Sequence, residues 1–476
     1  MPLRTRLSCY ENWLINLEGW KCISCSGERF WHGDRHTYQD KHRGYRCTAS
    51  PTPHIIVICL AHHTIPIMLL FPLLTLLAST LFKQALAFPN TPFTSSNRDI
   101  LDTAGNKIVY KGVNWPGAAD VMIPEGLQYQ SIANIVSGIK SLGLNVVRLT
   151  FAIEMVDDIF SNSASSTLSN ALNNALGSTN GPTVLAQILK KNPQFTSSTT
   201  RLQVFDAVAA ELANQGIWVH LDNHMSKGKW CCNGNDGNTW FGDSEFDVSK
   251  WQRGLAYMAD HGKQWPSFAS IGLRNELRHH DSSSPAQPYD WAHWYEAMVP
   301  AAEAVYKTNP NILIFFSGLD YDKDITALVN KQHLGNGHYF DPRSFDFGNR
   351  VVMELHNYQN NAKTCDSITS GLNHAGFNAM DVNNSGYYHV PVVLTEFGFD
   401  QNGKDYNSVY AQCIKTFMTG QPGGPGGWMQ WALGGSYYIR EGTQDFDETW
   451  GLYNHDWSAW RDANAIAYTK AFAQAS

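Results

Sequence analysis

Two glutamates stand where apolar runs end. Glu276 closes Ile271-Gly272-Leu273-Arg274-Asn275-Glu276, and Glu396 closes Val392-Val393-Leu394-Thr395-Glu396 ahead of Phe397-Gly398. Short continuous apolar runs mark strands buried on both faces, so a charge in the last place leaves the core and faces whatever lies beyond it. In a closed barrel of eight parallel strands, that place is the mouth where active sites are built. Two carboxyl groups facing one cleft suit glycoside hydrolysis, in which one donates a proton and the other serves as nucleophile or base. His and Glu together also suit a metal, but here they fall on different predicted strands without a short ligand motif such as His-Glu-x-x-His. Neither a metal nor a cofactor is expected.

The elements that must position these groups recur along the chain. Strands are predicted over Ile108 to Asn114, Asn145 to Phe151, Ile217 to Asn223, Ser270 to Asn275, Ile312 to Ser317, Val351 to Asn357, Val392 to Glu396 and Trp428 to Trp431. Between the second and third, Arg201 to Gln215 places Leu202, Phe205, Val208, Ala209 and Leu212 on one helical stripe, with Gly216 as a stop. Strand, helix, strand is the βαβ unit. Further helices are predicted over Gln128 to Leu142, Val248 to Gly262, Trp291 to Lys307, Tyr406 to Thr419 and Ala459 to Ala473. The expected fold is a (β/α)8 TIM barrel with long βα-loops. A doubly wound open sheet is disfavoured, because no glycine-rich phosphate turn follows the first strand.

The longest departures from a minimal barrel follow strands two, three and eight. Residues 157–200 are rich in Ser, Asn and Thr, and residues 224–247 carry Trp230, Trp240 and Phe241 among glycines. Loops at that rim build substrate sites. Trp115, Trp230, Trp240, Trp431 and Trp450 fall in or beside rim segments; core packing accounts for such residues as readily as stacking on sugar rings does.

The front of the chain differs in character. Met68 to Phe82 is apolar and uncharged, and Ala85-Leu86-Ala87 offers a small-residue cleavage site, so residues 68–87 read as a signal peptide ahead of a catalytic domain over residues 88–476. Export would make the protein extracellular; an uncleaved signal anchor would tether it to the membrane. Residues 1–67 are left unassigned and carry five of the nine cysteines, as an overextended gene model would. Cys22, Cys25, His32 and His36 lack the chain length between pairs that a zinc finger needs. Behind the signal, an even count of Cys231, Cys232, Cys365 and Cys413 suits disulfides, and Cys365 with Cys413 is the favoured pairing; the adjacent Cys231 and Cys232 form a small ring or stay reduced. Asn383-Asn384-Ser385 is a glycosylation acceptor. A net charge of −7 implies no nucleic-acid partner.

Taken in order, Gly112-Val113-Asn114-Trp115, Val146-Val147-Arg148, Leu221-Asp222-Asn223-His224, Asn275-Glu276, His356-Asn357-Tyr358, Thr395-Glu396-Phe397-Gly398 and Trp428-Met429-Gln430-Trp431 resemble glycoside hydrolase family 5, the cellulase family of retaining (β/α)8 enzymes. The resemblance runs from about Phe88 to the C-terminus. It implies that Glu276 is the general acid and then base, and Glu396 the nucleophile. It further implies that Arg148 keeps Glu396 ionised, Asn275 bonds the sugar 2-hydroxyl and Tyr358 touches Glu396. His224 and His356 would position sugar and carboxyl groups, and Trp431 would floor the subsite of the cleaved residue. The implied partner is a carbohydrate, most simply a β-glucan, with mannans, glycolipids and flavonoid glycosides as alternatives. No nucleic acid and, once the signal is removed, no membrane is implied; the chain is expected to work as a monomer. A silent barrel that only binds sugar is the competing reading from another class. Segments such as Gly435-Ser436-Tyr437-Tyr438-Ile439-Arg440-Glu441-Gly442 resemble a fungal and plant branch of the family.

Overall fold

A computed structural model describes residues 37–39, 46–48, 91–281 and 286–476. The chain divides into two units, Met1–Phe82 and Lys83–Ser476. In the first, Thr37–Gln39 pairs antiparallel with Arg46–Thr48. The expected signal segment and the residues Cys22, Cys25, His32 and His36 lie outside the described residues.

The second unit is a closed barrel of eight strands, and every neighbouring pair is parallel. In chain order the barrel strands are Lys111–Trp115, Val146–Ala152, Trp218–Met225, Phe268–Gly272, Leu313–Phe316, Val351–Asn357, Val392–Phe397 and Trp428–Gln430. All eight predicted strands are present. Parallel strands must be joined by crossovers, and helices covering the outer face of the sheet supply them while burying its apolar side chains. The helices Ile132–Ser141, Arg201–Asn214, Val248–His261, Trp291–Thr308, Val409–Thr419 and Ala463–Ala475 match the predicted ones to within a few residues. Their ends follow local chemistry: Ser131, Thr200, Asp247, Asp290, Ser408 and Asp462 each accept a bond from a backbone N–H of the first turn. Such caps satisfy donors that the helix leaves open and contribute about 1 kcal/mol each. Gly216 takes a positive φ of 71° after Arg201–Asn214, a backbone region in which Cβ is costly.

Two sequence expectations are corrected. Ile108 leaves the barrel: Lys107–Ile108 joins Thr94–Ser96 and Asp99–Leu101 in a small antiparallel sheet. Nearby, Phe93 and Ile100 bury with Tyr110 and the barrel residues Val146, Phe315 and Met429, plugging the end away from the glutamates. The polar stretch 157–200 is largely helical, over Glu154–Asn162 and Leu168–Lys191. Its buried Leu168, Ala171, Leu172, Val184 and Ile188 are too widely spaced among Ser and Asn to dominate the composition. Strand five is followed by one short helix, Thr326–Val329, and strand six by Cys365–Ala375.

Cys365 and Cys413 form the disulfide favoured from sequence, with Cα atoms 5.2 Å apart. It ties the helix after strand six to the helix after strand seven. Closing a loop with a sequence separation of 48 stabilises by about 4 kcal/mol if chain entropy governs. Cys365→Ala with Cys413→Ala should therefore lower unfolding stability by up to about 4 kcal/mol, read as a drop in denaturant midpoint. An unchanged midpoint would show that the tie is slack in the unfolded chain. Asn383 of the acceptor site is exposed. Among the described residues, no helix is long and apolar enough to cross a membrane.

Candidate active site

The mouth at the C-terminal ends of the strands collects all eight residues singled out from sequence. At its centre, the buried guanidinium of Arg148 reaches four acceptors. Its Nη1 donates to Glu396 Oε1 at 2.5 Å and to Asn114 Oδ1 at 2.9 Å; its Nη2 donates to Asp222 Oδ1 at 2.9 Å and to Asn275 Oδ1 at 2.8 Å. Burial alone would lower the pKa of this guanidinium, but Asp222, Glu396, Glu354 and Asp322 outweigh burial and raise it. Asp222, despite its own burial, is held down at about 2 by Arg148 and by the bond to His224. Glu354, buried 4.0 Å from the same guanidinium, is pushed up to about 8 by burial and by Asp222. One cation thus holds Asp222 ionised, while the buried Glu354 beside it stays neutral near pH 7.

Glu396 owes its place to an irregularity. Strand alternation over Val392–Glu396 puts Val393 with the barrel-interior residues Val352, Phe315 and Met429, and packs Val392 and Leu394 with the outer layer. Strict alternation would then send Glu396 outward. The register instead shifts: Leu355 pairs with Leu394, but His356 pairs with Glu396, leaving Thr395 as the extra residue. This bulge re-aims Glu396 into the mouth. There its Oε2 accepts from the Tyr358 hydroxyl at 2.8 Å.

Glu276 lies beyond its strand, not at its end, because the fourth strand stops at Gly272. Its backbone takes a positive φ of 45°, a strained region for a residue with Cβ. Two groups hold it there: the Glu276 N–H donates to Asp322 Oδ2 at 2.8 Å, and Arg278 Nη1 donates to the Glu276 carbonyl at 2.8 Å. Burial raises the Glu276 pKa, against the pull of Arg278, His224, Arg148 and Lys323. His356 lies between the two glutamates, its Nδ1 3.0 Å from Glu276 Oε1 and 3.6 Å from Glu396 Oε2. Burial holds that imidazole down at about 3, so the ring is neutral. One oxygen from each glutamate and one His356 nitrogen lie within 4.8 Å of one another.

The walls are aromatic. Trp431, just past strand eight, stacks on His224 with centroids 5.4 Å apart and planes 8° apart. Asp222 Oδ2 orients His224 through Nδ1 at 2.8 Å. Trp230 meets Trp431 edge-on at 6.2 Å and carries the Arg440 guanidinium over its ring at 3.5 Å. Trp450 lies beside Tyr358 at 5.7 Å. Trp115 and Trp240 are buried and belong to the core. Sequence reasoning passed over Asp222, Glu354 and Asp322. For the first two a signal existed: they stand two residues before His224 and His356, so alternation along a strand sends each pair to one face. Asp322 lies in a loop and had none. Cys231 and Cys232 are joined to each other, and their sulfurs face Asn275.

A closed parallel barrel that brings two carboxylates together at its C-terminal mouth defines a (β/α)8 protein whose rim can carry acid–base chemistry. The chain belongs to the cellulase family, glycosyl hydrolase family 5, whose model matches residues 101–433. It is 32% identical over 397 residues to a glycosyl hydrolase 5 family protein of Chamaecyparis obtusa, covering 80% of this chain and 66% of that one. An endoglucanase of Paenibacillus polymyxa is 24% identical, over 56% of this chain and 59% of its own length. The chain thus spans about two thirds or less of the length of these relatives. Among solved structures, the catalytic domain of the major endoglucanase of Xanthomonas campestris superposes with a TM-score of 0.58 at 17% identity, covering 80% of this chain and 99% of that one. A cellotetraose complex of the Pyrococcus horikoshii endocellulase gives 0.58 at 18% identity, covering 81% and 99%. At these identities the structural likeness speaks for the fold alone.

Proposed function

We propose that the protein is a retaining β-glycoside hydrolase that cleaves O-glycosidic bonds in a poly- or oligosaccharide, with a β-glucan as substrate, in the manner of an endoglucanase. The observation that carries this reading is the pair of carboxylate oxygens of Glu276 and Glu396 lying within 4.8 Å. Carboxyl groups about 5 to 5.5 Å apart suit a double displacement, whereas the water-activating pair of an inverting enzyme stands about 6.5 to 9.5 Å apart. Family membership supports it, as do the relatives named endoglucanases.

In this mechanism Glu396 attacks the anomeric carbon while Glu276 gives its proton to the departing glycosidic oxygen. The C–O bond breaks and a glycosyl ester forms on Glu396. Glu276, now ionised, takes a proton from water, whose oxygen attacks the same carbon and releases Glu396. Arg148 and Tyr358 hold the Glu396 carboxylate by charge and hydrogen bond, one on each oxygen. Burial raises the pKa of Glu276, which favours the protonated form that the first step uses. Trp431 offers an apolar ring face to the sugar. We place the protein outside the cell, released after signal removal; the Cys365–Cys413 disulfide supports this.

A 2-deoxy-2-fluoro β-glucoside with a good leaving group should inactivate the enzyme by esterifying Glu396, seen as one added fluoroglycosyl mass on the peptide that contains it. An active enzyme that resists labelling and releases the inverted anomer would overturn the retaining mechanism. A protein that binds cello-oligosaccharides but neither labels nor hydrolyses would be a sugar-binding barrel. A hydrolysis screen over β-glucans, mannans and aryl or flavonoid glycosides decides the substrate.

A further inference from the structure

The adjacent cysteines 231 and 232 are joined in a disulfide in the loop after strand three. Its neighbours are the reacting groups. The Asn275 side-chain Nδ2 lies 3.5 Å from the sulfur of Cys231 and 3.6 Å from that of Cys232. Both sulfurs and a Glu276 carboxylate oxygen fall within 4.8 Å of one another. On its other side Asn275 offers Oδ1 to Arg148 at 2.8 Å, and its backbone N–H donates to the Asn223 carbonyl at 2.9 Å. Cys231 is buried and Cys232 half-buried, so the pair borders the cleft. Cys231 follows Trp230, whose ring meets Trp431.

We infer that the Cys231–Cys232 disulfide is a positioning element of the active site: its two sulfurs fix the Asn275 amide and form the apolar wall against which Glu276 works. The inference rests on the functional reading given above. A single amide that touches both sulfurs is oriented by the bond between them. Sulfur is a weak acceptor, so the contact gives the amide a place without competing for the Oδ1 bond to Arg148. The wall matters because other groups favour the charged form of Glu276: Arg278, His224, Arg148 and Lys323 pull its pKa down. His356 and Glu396 face it from strands six and seven, and Asp322 holds its N–H. An apolar surface that offers no hydrogen bond to the carboxylate works against that pull.

Reduction by a water-soluble phosphine breaks the S–S bond and forms two S–H bonds; the phosphine becomes its oxide, with oxygen and both protons from water. Two bonded sulfurs then become van der Waals neighbours that must move apart, and Asn275 cannot follow both. Misplacement of a positioning group by about 1 Å costs up to about 100-fold.

The test uses the folded enzyme and its Cys365→Ala/Cys413→Ala variant, which removes the other disulfide from the experiment. Reduction is verified by alkylation and mass. On a soluble β-glucan, kcat/KM should fall roughly 10- to 100-fold, mostly in kcat, and recover when diamide reoxidises the pair. In Cys231→Ser/Cys232→Ser, serine hydroxyls that can donate to the Glu276 carboxylate should favour its charged form, moving the alkaline limb of kcat/KM toward lower pH. A purely structural tie would lower stability and leave that limb in place. An active enzyme indifferent to verified reduction, with an unshifted limb in the serine variant, overturns the inference alone. An oxidised enzyme silent on every β-glycoside overturns the functional reading, and the inference with it.

Discussion

Glu396→Ala should lose turnover of every glycoside, by at least about 10⁴-fold, since no other group can form the glycosyl ester. Glu276→Ala should fail differently. Natural glycosides should slow by about 10²- to 10⁴-fold for want of a proton donor. Dinitrophenyl glycosides, whose leaving group needs no proton, should still form the ester because Glu396 remains. Azide separates the roles by stereochemistry. In Glu396→Ala it occupies the space of the missing carboxylate and attacks once, giving the α-glycosyl azide. In Glu276→Ala it replaces water at the second step, giving the β-anomer. The same anomer from both variants would show that the two roles are wrongly assigned.

Arg148→Met should damage folding and catalysis together. The guanidinium is buried among Asp222, Glu396 and the neutral Glu354. Removing one partner of a buried charge cluster leaves the others uncompensated and costs about 3 to 5 kcal/mol. With its cation gone, Glu396 keeps only the Tyr358 hydroxyl of the two groups that hold its carboxylate, so kcat should fall as well. Arg148→Lys keeps the charge and should recover much of the stability, but an ammonium cannot reproduce a fork that reaches Asn114, Glu396, Asp222 and Asn275 at once. Its activity should stay low. If the lysine variant matched the parent in kcat, charge alone would explain Arg148; if Arg148→Met were as stable as the parent, the charge cluster would contribute nothing to stability. Chemical denaturation and steady-state kinetics on both variants supply the comparison.

The barrel was legible because strands buried on both faces are continuous apolar runs, and because helix stripes and caps are local signals. Arg201–Asn214 needs only its own residues and Gly216 to be recognised. The polar stretch now seen as Glu154–Asn162 and Leu168–Lys191 was not legible, since its small buried stripe shows only once a surface exists to pack against. The site was legible as a set of residue types: a carboxylate after each of two apolar runs, with Arg148, His224, Asn275, His356, Tyr358 and Trp431 in the expected order. Its supporting carboxyls were half visible. Asp222 and Glu354 share a strand face with His224 and His356, but their ionisation depends on one guanidinium brought from strand two.

What the sequence by itself determined is therefore the alternation of strands and helices, the carboxylate pair and its polar company. These follow from short-range rules of periodicity and burial. Only the tertiary structure decided which way the carboxylates point. Alternation alone would turn Glu396 toward the helices, and it faces the mouth because the register against strand six slips by one residue at Thr395. Glu276 faces Glu396 because Asp322 and Arg278, from other segments, hold its backbone in a left-handed conformation beyond the strand. The sulfurs of Cys231 and Cys232 meet Asn275 only through the folding of a loop 43 to 44 residues away in sequence. Register, loop path and buried charge are set by contacts between distant segments, and a local pattern carries no record of them.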